Sequence, residues 1–362
     1  LKGVLDCPEL PLNVSRSYLQ TNAYVSKVSA HIVKKVCDKL CSMFNTGRED
    51  YEKLWTDIKL FVEYACLRDH KFYDRVKSAL LLPAPAKLNL FLHVVGRRTD
   101  GKHLLQSIFT LVDLTDEIDL VVREDNQIVR MGDLLSSPED DLCVRAAKKL
   151  REAANRPDLG VEINVRKRIP AGAGMGGGSS DAATTLIGLN HLWGLHFDRK
   201  SLMTIGETLG ADIPFFVWGR SGFVEGIGER ISPFEVPQAK YEIIWPGKGV
   251  STEQIFKAPN LTRNTESLKM AVFSDLIQNH WPALPGRNDL QPVAEAVEPF
   301  VAQAGQLLES IGLRPRMTGS GSAVFAVADA SHAIPAIERL PVGWRHFSVR
   351  GLQEHPLIAW VN

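Results

Sequence analysis

The run Pro170-Ala171-Gly172-Ala173-Gly174-Met175-Gly176-Gly177-Gly178-Ser179-Ser180-Asp181-Ala182-Ala183 holds the densest chemistry of the chain. Without a Cβ, glycine lets backbone N–H groups turn inward and come close to a ligand. The following residues favour a helix. If it starts at Ser179 or Ser180, it directs its unpaired N–H groups and the positive end of its dipole into the same space. That combination binds phosphate. Two familiar phosphate loops fit poorly. A P-loop needs lysine directly after the glycines, and none follows. Gly172-x-Gly174-x-x-Gly177 matches the dinucleotide fingerprint. The region about 20 residues on should then end a strand with an acidic residue, but Leu189–Leu195 reads as the end of a helix. A purely structural glycine turn needs neither so long a run nor the two hydroxyls after it.

If such a phosphate site serves phosphoryl transfer to a hydroxyl, the protein must hold the triphosphate, neutralise its charge, position the hydroxyl and accept its proton. The 172–180 loop suits the first task, and Mg²⁺ normally serves the second. Asp212 is the candidate proton acceptor, in the short polar interruption Gly210-Ala211-Asp212-Ile213-Pro214 before Phe215-Phe216-Val217-Trp218. A base of this kind is worth roughly 10²–10⁴ in rate. On position alone, an aspartate satisfying backbone donors at a helix end is an equally good reading. Lys87 interrupts an apolar strand, where a solvated edge residue is the plain alternative. Asp181, directly after the serines, suits the first turn of a helix or support of the phosphate site.

These residues need elements to hold them. Leu88–Val95 reads as a strand bounded by Gly96, with further strands at Ile118–Val122 and Val161–Val165 and a helix over Ser179–Leu192. Strands and helices mix without a strict βαβ repeat, which predicts an α+β fold. The 362 residues suffice for two or three domains. The composition, 44% hydrophobic and 23% charged, is that of a globular protein. With zero formal net charge the total gives no sign of a polyanion-binding surface, and no nucleic-acid partner is expected. No apolar run reaches the roughly 18 residues of a membrane span. The cysteines Cys7, Cys37, Cys41, Cys66 and Cys143 form no secreted disulfide framework. Cys37 and Cys41 read as small core residues, and a reducing cytoplasm fits this usage.

The glycine run resembles the second motif of the GHMP small-molecule kinases, P-x-x-x-G-x-G-G-G-S-S-[DN]-A-A. Pro85-Ala86-Lys87-Leu88-Asn89-Leu90 resembles the family's first motif, and Thr318-Gly319-Ser320-Gly321-Ser322-Ala323-Val324-Phe325 its third. All three stand in the order the family requires. Gly96-Arg97-Arg98-Thr99-Asp100-Gly101-Lys102-His103 and Leu209-Gly210-Ala211-Asp212-Ile213-Pro214-Phe215-Phe216 narrow the resemblance to members whose small-molecule substrate carries a cytidine diphosphate group. The similarity runs from about Leu82 to the C-terminus. It implies a two-lobed fold, with a ribosomal-protein-S5-like N-terminal lobe over 83–240 and an α/β C-terminal lobe over 241–362. It implies ATP and Mg²⁺ as cofactors and Lys87 and Asp212 as catalytic residues, the ammonium keeping the carboxylate ionised and stabilising alkoxide charge. Pro170, Gly172, Gly174, Gly176, Gly177, Gly178, Ser179 and Ser180 would bind ATP, with Ser179 or Ser180 as a possible metal ligand. Asn89, Lys102, His103, Phe256, Gly319, Ser320 and Gly321 would contact the acceptor. His103 would meet the base edge, and Phe256 would stack on its ring for roughly 1–3 kcal/mol. Gly319-Ser320-Gly321 equally suits a hairpin turn between strands near Arg316 and Val324–Ala328. Lys102 departs from the family, which usually has tyrosine there, so an aromatic wall of the base pocket is lost. Two competing readings are a GHMP kinase for another alcohol, such as homoserine or mevalonate, and a binding module on an inactive kinase.

Residues 1–82 differ in kind. Glycine is scarce, and helices are predicted from Tyr18 onward, over Glu49–Cys66 and over Lys71–Leu82, with a break at Asn45-Thr46-Gly47. Val25, Val28, Ile32, Val36, Leu40 and Met43 recur at helical spacing and predict one buried face. Gly3–Arg16, continuing through His31–Lys35, resembles the middle domain of the ninety-kilodalton heat-shock chaperones. The resemblance implies a γ-phosphate contact for Arg16, but Ser17 replaces the family's glutamate. The expectation is a helical fragment without its own activity, fused to a kinase. Leu1 is not an initiator methionine, and a natural fusion, a misjoined reading frame or a deliberate joining of two segments would each give such a chimeric chain.

Overall fold

The computed structural model describes residues 23–68, 70–76, 81–135, 137–328 and 340–361. The chain divides into two compact units between Leu81 and Leu82. The Gly3–Arg16 segment, including Cys7 and Arg16, lies outside the described residues.

The first unit is helical: α1 (Ala23–Thr46), α2 (Arg48–Arg68) and α3 (His70–Val76). Gly47 separates the first two, where the sequence predicts the break. The buried face is not the predicted one. Cys37, Leu40 and Phe44 of α1 are buried, whereas Ile32 and Val36 are 39% and 45% exposed. The covering aromatics decide this. Tyr51 lies edge-on to Phe44 at 5.4 Å and stacks on Trp55 at 5.7 Å, so α2 covers the stripe through Leu40 and Phe44.

The second unit follows as β1 (Leu82–Arg97), β2 (His103–Arg123), β3 (Ile128–Gly132), α4 (Leu142–Ala153), β4 (Gly160–Arg166), α5 (Gly177–Leu192), α6 (Arg199–Glu207), α7 (Ile213–Trp218), β5 (Gly222–Gly226), β6 (Arg230–Pro233), β7 (Lys240–Trp245), α8 (Thr252–Lys257), α9 (Met270–His280), α10 (Gln291–Val297), α11 (Phe300–Ser310), β8 (Arg316–Met317), β9 (Val324–Ala328) and β10 (Arg345–Leu352). One ten-stranded sheet joins them in the order β3-β4-β2-β10-β7-β9-β8, with β1 and β5 also on β2, and β6 on β5. β3 and β4 pair in parallel, and the other named pairs are antiparallel. This is the α+β class. β10 links the two halves of the sheet, pairing Gly351 and Leu352 with β2 and Arg345–Arg350 with β7.

The predicted strands are parts of longer ones. The chain from Leu82 to Val94 is buried on both faces, so no alternation marks where β1 begins. α5 is buried from Ser180 to Asn190. Buried on all sides, with Ser180, Asp181, Thr184, Thr185 and Asn190 among its buried residues, α5 belongs to the core and supports the glycine run. No helix of the described residues is long and apolar enough to cross a membrane.

Candidate active site

The glycine run begins with a buried anchor. Ala173 and Met175 are 1% exposed and sit in the core that holds Leu88 and Leu90 of β1. The Lys87 N–H donates to the Met175 carbonyl at 3.0 Å, stitching the run to β1. Helix α5 starts at Gly177, two residues before the predicted position. Its N-cap, Gly176, has φ +72° and offers no side-chain cap. The first N–H groups of the helix therefore lack side-chain partners, and Gly177, Gly178 and Ser179 all line a cavity of about 410 Å³. The two glycine loops meet directly. Ser322 and Ala323 donate backbone bonds to Gly172 O at 3.2 Å and Ala173 O at 3.1 Å. Gly174 has φ +76°, and a Cβ there would lie 2.2 Å from the Thr318 carbonyl. Asn288 Nδ2 holds the second loop from beneath through Met317 O and Gly319 O at 2.7 and 2.8 Å.

Pro170, Gly172, Gly174, Gly176, Gly319, Ser320 and Gly321 line the same cavity, and so do Lys87, Asn89 and Asp212. Ser320 pairs its hydroxyl with that of Thr252 at 2.6 Å. The strands flanking the second loop, β8 and β9, form the antiparallel pair expected of a hairpin. Ser180 is placed otherwise. It is fully buried, its hydroxyl donates to Pro85 O at 2.7 Å, and it does not line the cavity. It joins α5 to β1, because the helix begins early enough to turn this position inward.

Lys87 is 3% exposed, so it is no solvated edge residue. A lone buried ammonium is costly unless paired. Lys87 Nζ lies 3.5 Å from Asp212 Oδ2, donates to Asn89 Oδ1 at 2.5 Å and sits 4.2 Å from the centre of the Phe109 ring. Burial pulls its pKa below the ordinary lysine range, against the opposing charge of Asp212. Asn89 is occupied in turn. Its Nδ2 donates to Ser107 Oγ at 3.0 Å and its N–H to Thr318 Oγ1 at 3.0 Å, so it orients the lysine. Asp212 stands at the N-cap of α7 yet makes no capping hydrogen bond. The helix-end reading therefore has no hydrogen bond to support it. The carboxylate is about a third exposed, open to the cavity on one side and to Lys87 on the other.

Lys167 is a site residue that the sequence reading missed. Its ammonium lines the cavity and bonds Asp181 Oδ2 at 2.6 Å and Asp116 Oδ2 at a short distance. Asp116 also accepts from the N–H groups of Arg168 and Ile169 at 2.5 and 2.8 Å. A Cβ on Gly177 would lie 3.2 Å from Lys167 Nζ. The cation absent from the glycine motif thus arrives from the end of β4. The run Arg166-Lys167-Arg168 was its one sequence signal. Two carboxylates share this lysine. Burial, opposed by Lys167 and reinforced by Asp116, pushes Asp181 up to about 8. Lys167 itself is lowered by burial but raised further by the two acids, so it stays charged.

A second cavity of about 590 Å³ adjoins the first, and Leu105 and Phe256 line both. Lys102, His103, Arg97 and Arg263 line the second. His103 stacks on Phe256, with ring centres 4.7 Å apart. Lys102 is exposed on the preceding turn, its N–H bonded to Asp100 Oδ1.

Known proteins resemble this chain over most of its length. The model of the GHMP kinases N terminal domain matches residues 141–220, and that of GHMP kinases C terminal matches 266–344. The Hsp90 protein model matches residues 1–84. The 4-diphosphocytidyl-2-C-methyl-D-erythritol kinase of Paracidovorax citrulli is 51% identical over 283 residues, covering 77% of this chain and 96% of that protein. A crystal structure of 4-(cytidine 5'-diphospho)-2C-methyl-D-erythritol kinase superposes with a TM-score of 0.63 at 34% identity, over 75% of this chain and 99% of its own. The mevalonate kinase of Methanococcus jannaschii superposes at 0.52 with 14% identity, over 75% and 98%, a likeness of fold alone.

Proposed function

The chain belongs to the GHMP kinase family, among its 4-diphosphocytidyl-2-C-methyl-D-erythritol kinases, and on that premise we propose that it transfers the γ-phosphate of ATP to the 2-hydroxyl of that substrate. The product continues into isoprenoid precursors by the non-mevalonate route. In this reading the triphosphate lies on the N-terminus of α5 and the 172–178 loop, where unpaired N–H groups and the helix dipole favour anions. The acceptor alcohol reaches Asp212, which takes its proton while Lys87 stabilises the developing oxyanion. The cytidine occupies the adjoining cavity against His103 and Phe256. One observation carries the assignment. Asp212 makes no capping bond and instead lies 3.5 Å from the buried Lys87 ammonium, on the wall of the cavity that the glycine loop lines.

Mg²⁺ accompanies ATP in this proposal. It would be held mainly by phosphates and water, as is usual for this ion. Of the two serines only Ser179 lines the cavity, so its hydroxyl is the protein ligand on offer. The ion would neutralise phosphate charge. We place the lobes at 83–240 and 241–362, continuous through one sheet. We place the reaction in the cytoplasm, where the thiols of Cys37 and Cys143 are at home. The segment before Leu82 we take as a chaperone-like piece fused to the kinase, since the Hsp90 match over residues 1–84 ends within three residues of the start of the kinase unit.

An acceptor panel tests the substrate. ATP consumption is measured with the cytidine-diphosphate alcohol, mevalonate and homoserine. The proposal expects turnover with the first alone, and preference for either of the others would overturn it.

A further inference from the structure

One guanidinium touches both aromatic residues of the second cavity. Arg263 Nε donates to His103 Nε2 at 3.2 Å. One terminal nitrogen donates to Phe256 O at 2.9 Å and Ala258 O at 2.7 Å, and the other to Leu261 O at 3.1 Å. Phe256 and Ala258 stand at the C-terminal end of α8, where carbonyls lack intrahelical partners and a nearby cation satisfies them. His103 opens β2, and the two rings stack at 4.7 Å with an interplanar angle of 26°.

The chemistry of the donor fixes the state of the imidazole. Arginine has only N–H donors and cannot accept. His103 Nε2 must therefore present its lone pair, and in the neutral ring Nδ1 then carries the proton. Burial first, then the charges of Arg263 and Arg97, keep His103 below the ordinary histidine range.

We propose that Arg263 is a positioning residue for the cytosine of the acceptor, fixing His103 as the neutral Nδ1–H tautomer and tying Phe256 to the same anchor. The pair then offers one aromatic face and one hydrogen-bond donor at a fixed separation. A donor at Nδ1 matches the acceptors O2 and N3 of cytosine and not its amino group. The proposal rests on the assignment of this cavity to the nucleotide.

Two measurements test it. The first is the ¹⁵N spectrum of histidine-labelled, ligand-free full-length protein at pH 7, with the His103 signals identified by their loss in His103→Ala. The expected state is the neutral Nδ1–H tautomer. An Nε2–H tautomer or a charged ring would overturn the proposal, and this test needs no Arg263 variant to fold. The second is steady-state kinetics of Arg263→Gln and Arg263→Lys. Loss of a charged hydrogen bond should raise the acceptor KM at least about tenfold, with kcat within about threefold and the KM for ATP unchanged. Lysine should not rescue, because one ammonium cannot reproduce the planar fork. Adding Arg263→Gln to His103→Ala should cost much less than adding it to the wild type. An unchanged acceptor KM in folded Arg263→Gln would also overturn it. If the wild type transfers no phosphate to the cytidine-diphosphate alcohol, the proposed function fails separately, and the tautomer still decides whether Arg263 fixes His103.

Discussion

Gly174→Ala tests the packing of the two glycine loops. The added Cβ would sit 2.2 Å from Thr318 O, whereas ordinary contact begins at 3.4 Å, so the loops must part by about 1.2 Å. The alanine must also hold φ +76°, a left-handed conformation costing roughly 1–2 kcal/mol. Parting the loops strains two backbone bonds, Ser322 N to Gly172 O and Ala323 N to Ala173 O, each worth about 1 kcal/mol. The sum is roughly 3–4 kcal/mol, a large share of the 5–15 kcal/mol typical of a domain. Gly178→Ala is the control. Its Cβ would meet only Leu142 Cδ1, at an ordinary 3.6 Å, in helical backbone, so stability should change by less than about 1 kcal/mol and in the favourable direction. Urea unfolding followed by tryptophan fluorescence reports chiefly on the second unit, since every tryptophan except Trp55 lies beyond Leu82. Calorimetric titration gives ATP affinity, which should fall at least about tenfold in Gly174→Ala, or 1.4 kcal/mol. Wild-type stability and affinity in Gly174→Ala would refute the loop contact.

The Asp181 cluster predicts a pH dependence. Its carboxyl is raised from 3.8 to about 8 in the fold, so the folded state holds a proton that the unfolded state releases. The associated stability is complete below about pH 4 and is lost as pH rises toward 8. Melting temperatures from pH 5 to 8.5 should therefore fall less in Asp181→Asn than in the wild type, and equal slopes would count against a protonated Asp181. The first unit is expected to be dispensable, because every residue assigned to the reaction lies beyond Leu82. Deleting residues 1–81 behind a new methionine should leave turnover within about twofold. A tenfold loss in a folded product would show that the helical unit completes the site.

Legibility followed sequence distance. The glycine loop could be read because one contiguous run supplies both the close backbone approach and the helix start. Its first helical residue, Gly177, lies two positions before the one the sequence predicts, since Gly176 caps the helix through its own backbone and no side chain marks the position. Lys87 and Asp212 could be named but not weighed. Whether a lysine in an apolar strand is solvated or buried depends on Asp212, 125 positions away, and the absence of a capping bond appears only in three dimensions. Ser180 looked equivalent to Ser179, but one step around the helix turns its hydroxyl to Pro85. Lys167 and Arg263 stayed hidden because their partners Asp116 and His103 are 51 and 160 residues distant. In the first unit, spacing identified α1, yet the aromatics of α2 chose which stripe to cover.

The central claim is that Asp212 and Lys87 transfer phosphate to an alcohol carrying cytidine diphosphate. Its most direct test is ³¹P NMR of wild type and Asp212→Asn, each with ATP and that alcohol. The wild type should build up a phosphate monoester resonance as γ-phosphate is lost. Asp212→Asn should bind ATP with unchanged affinity and form product roughly 10²-fold or more slowly, as expected on losing a general base. Equal rates in the two proteins, or no monoester from the wild type, would contradict the claim.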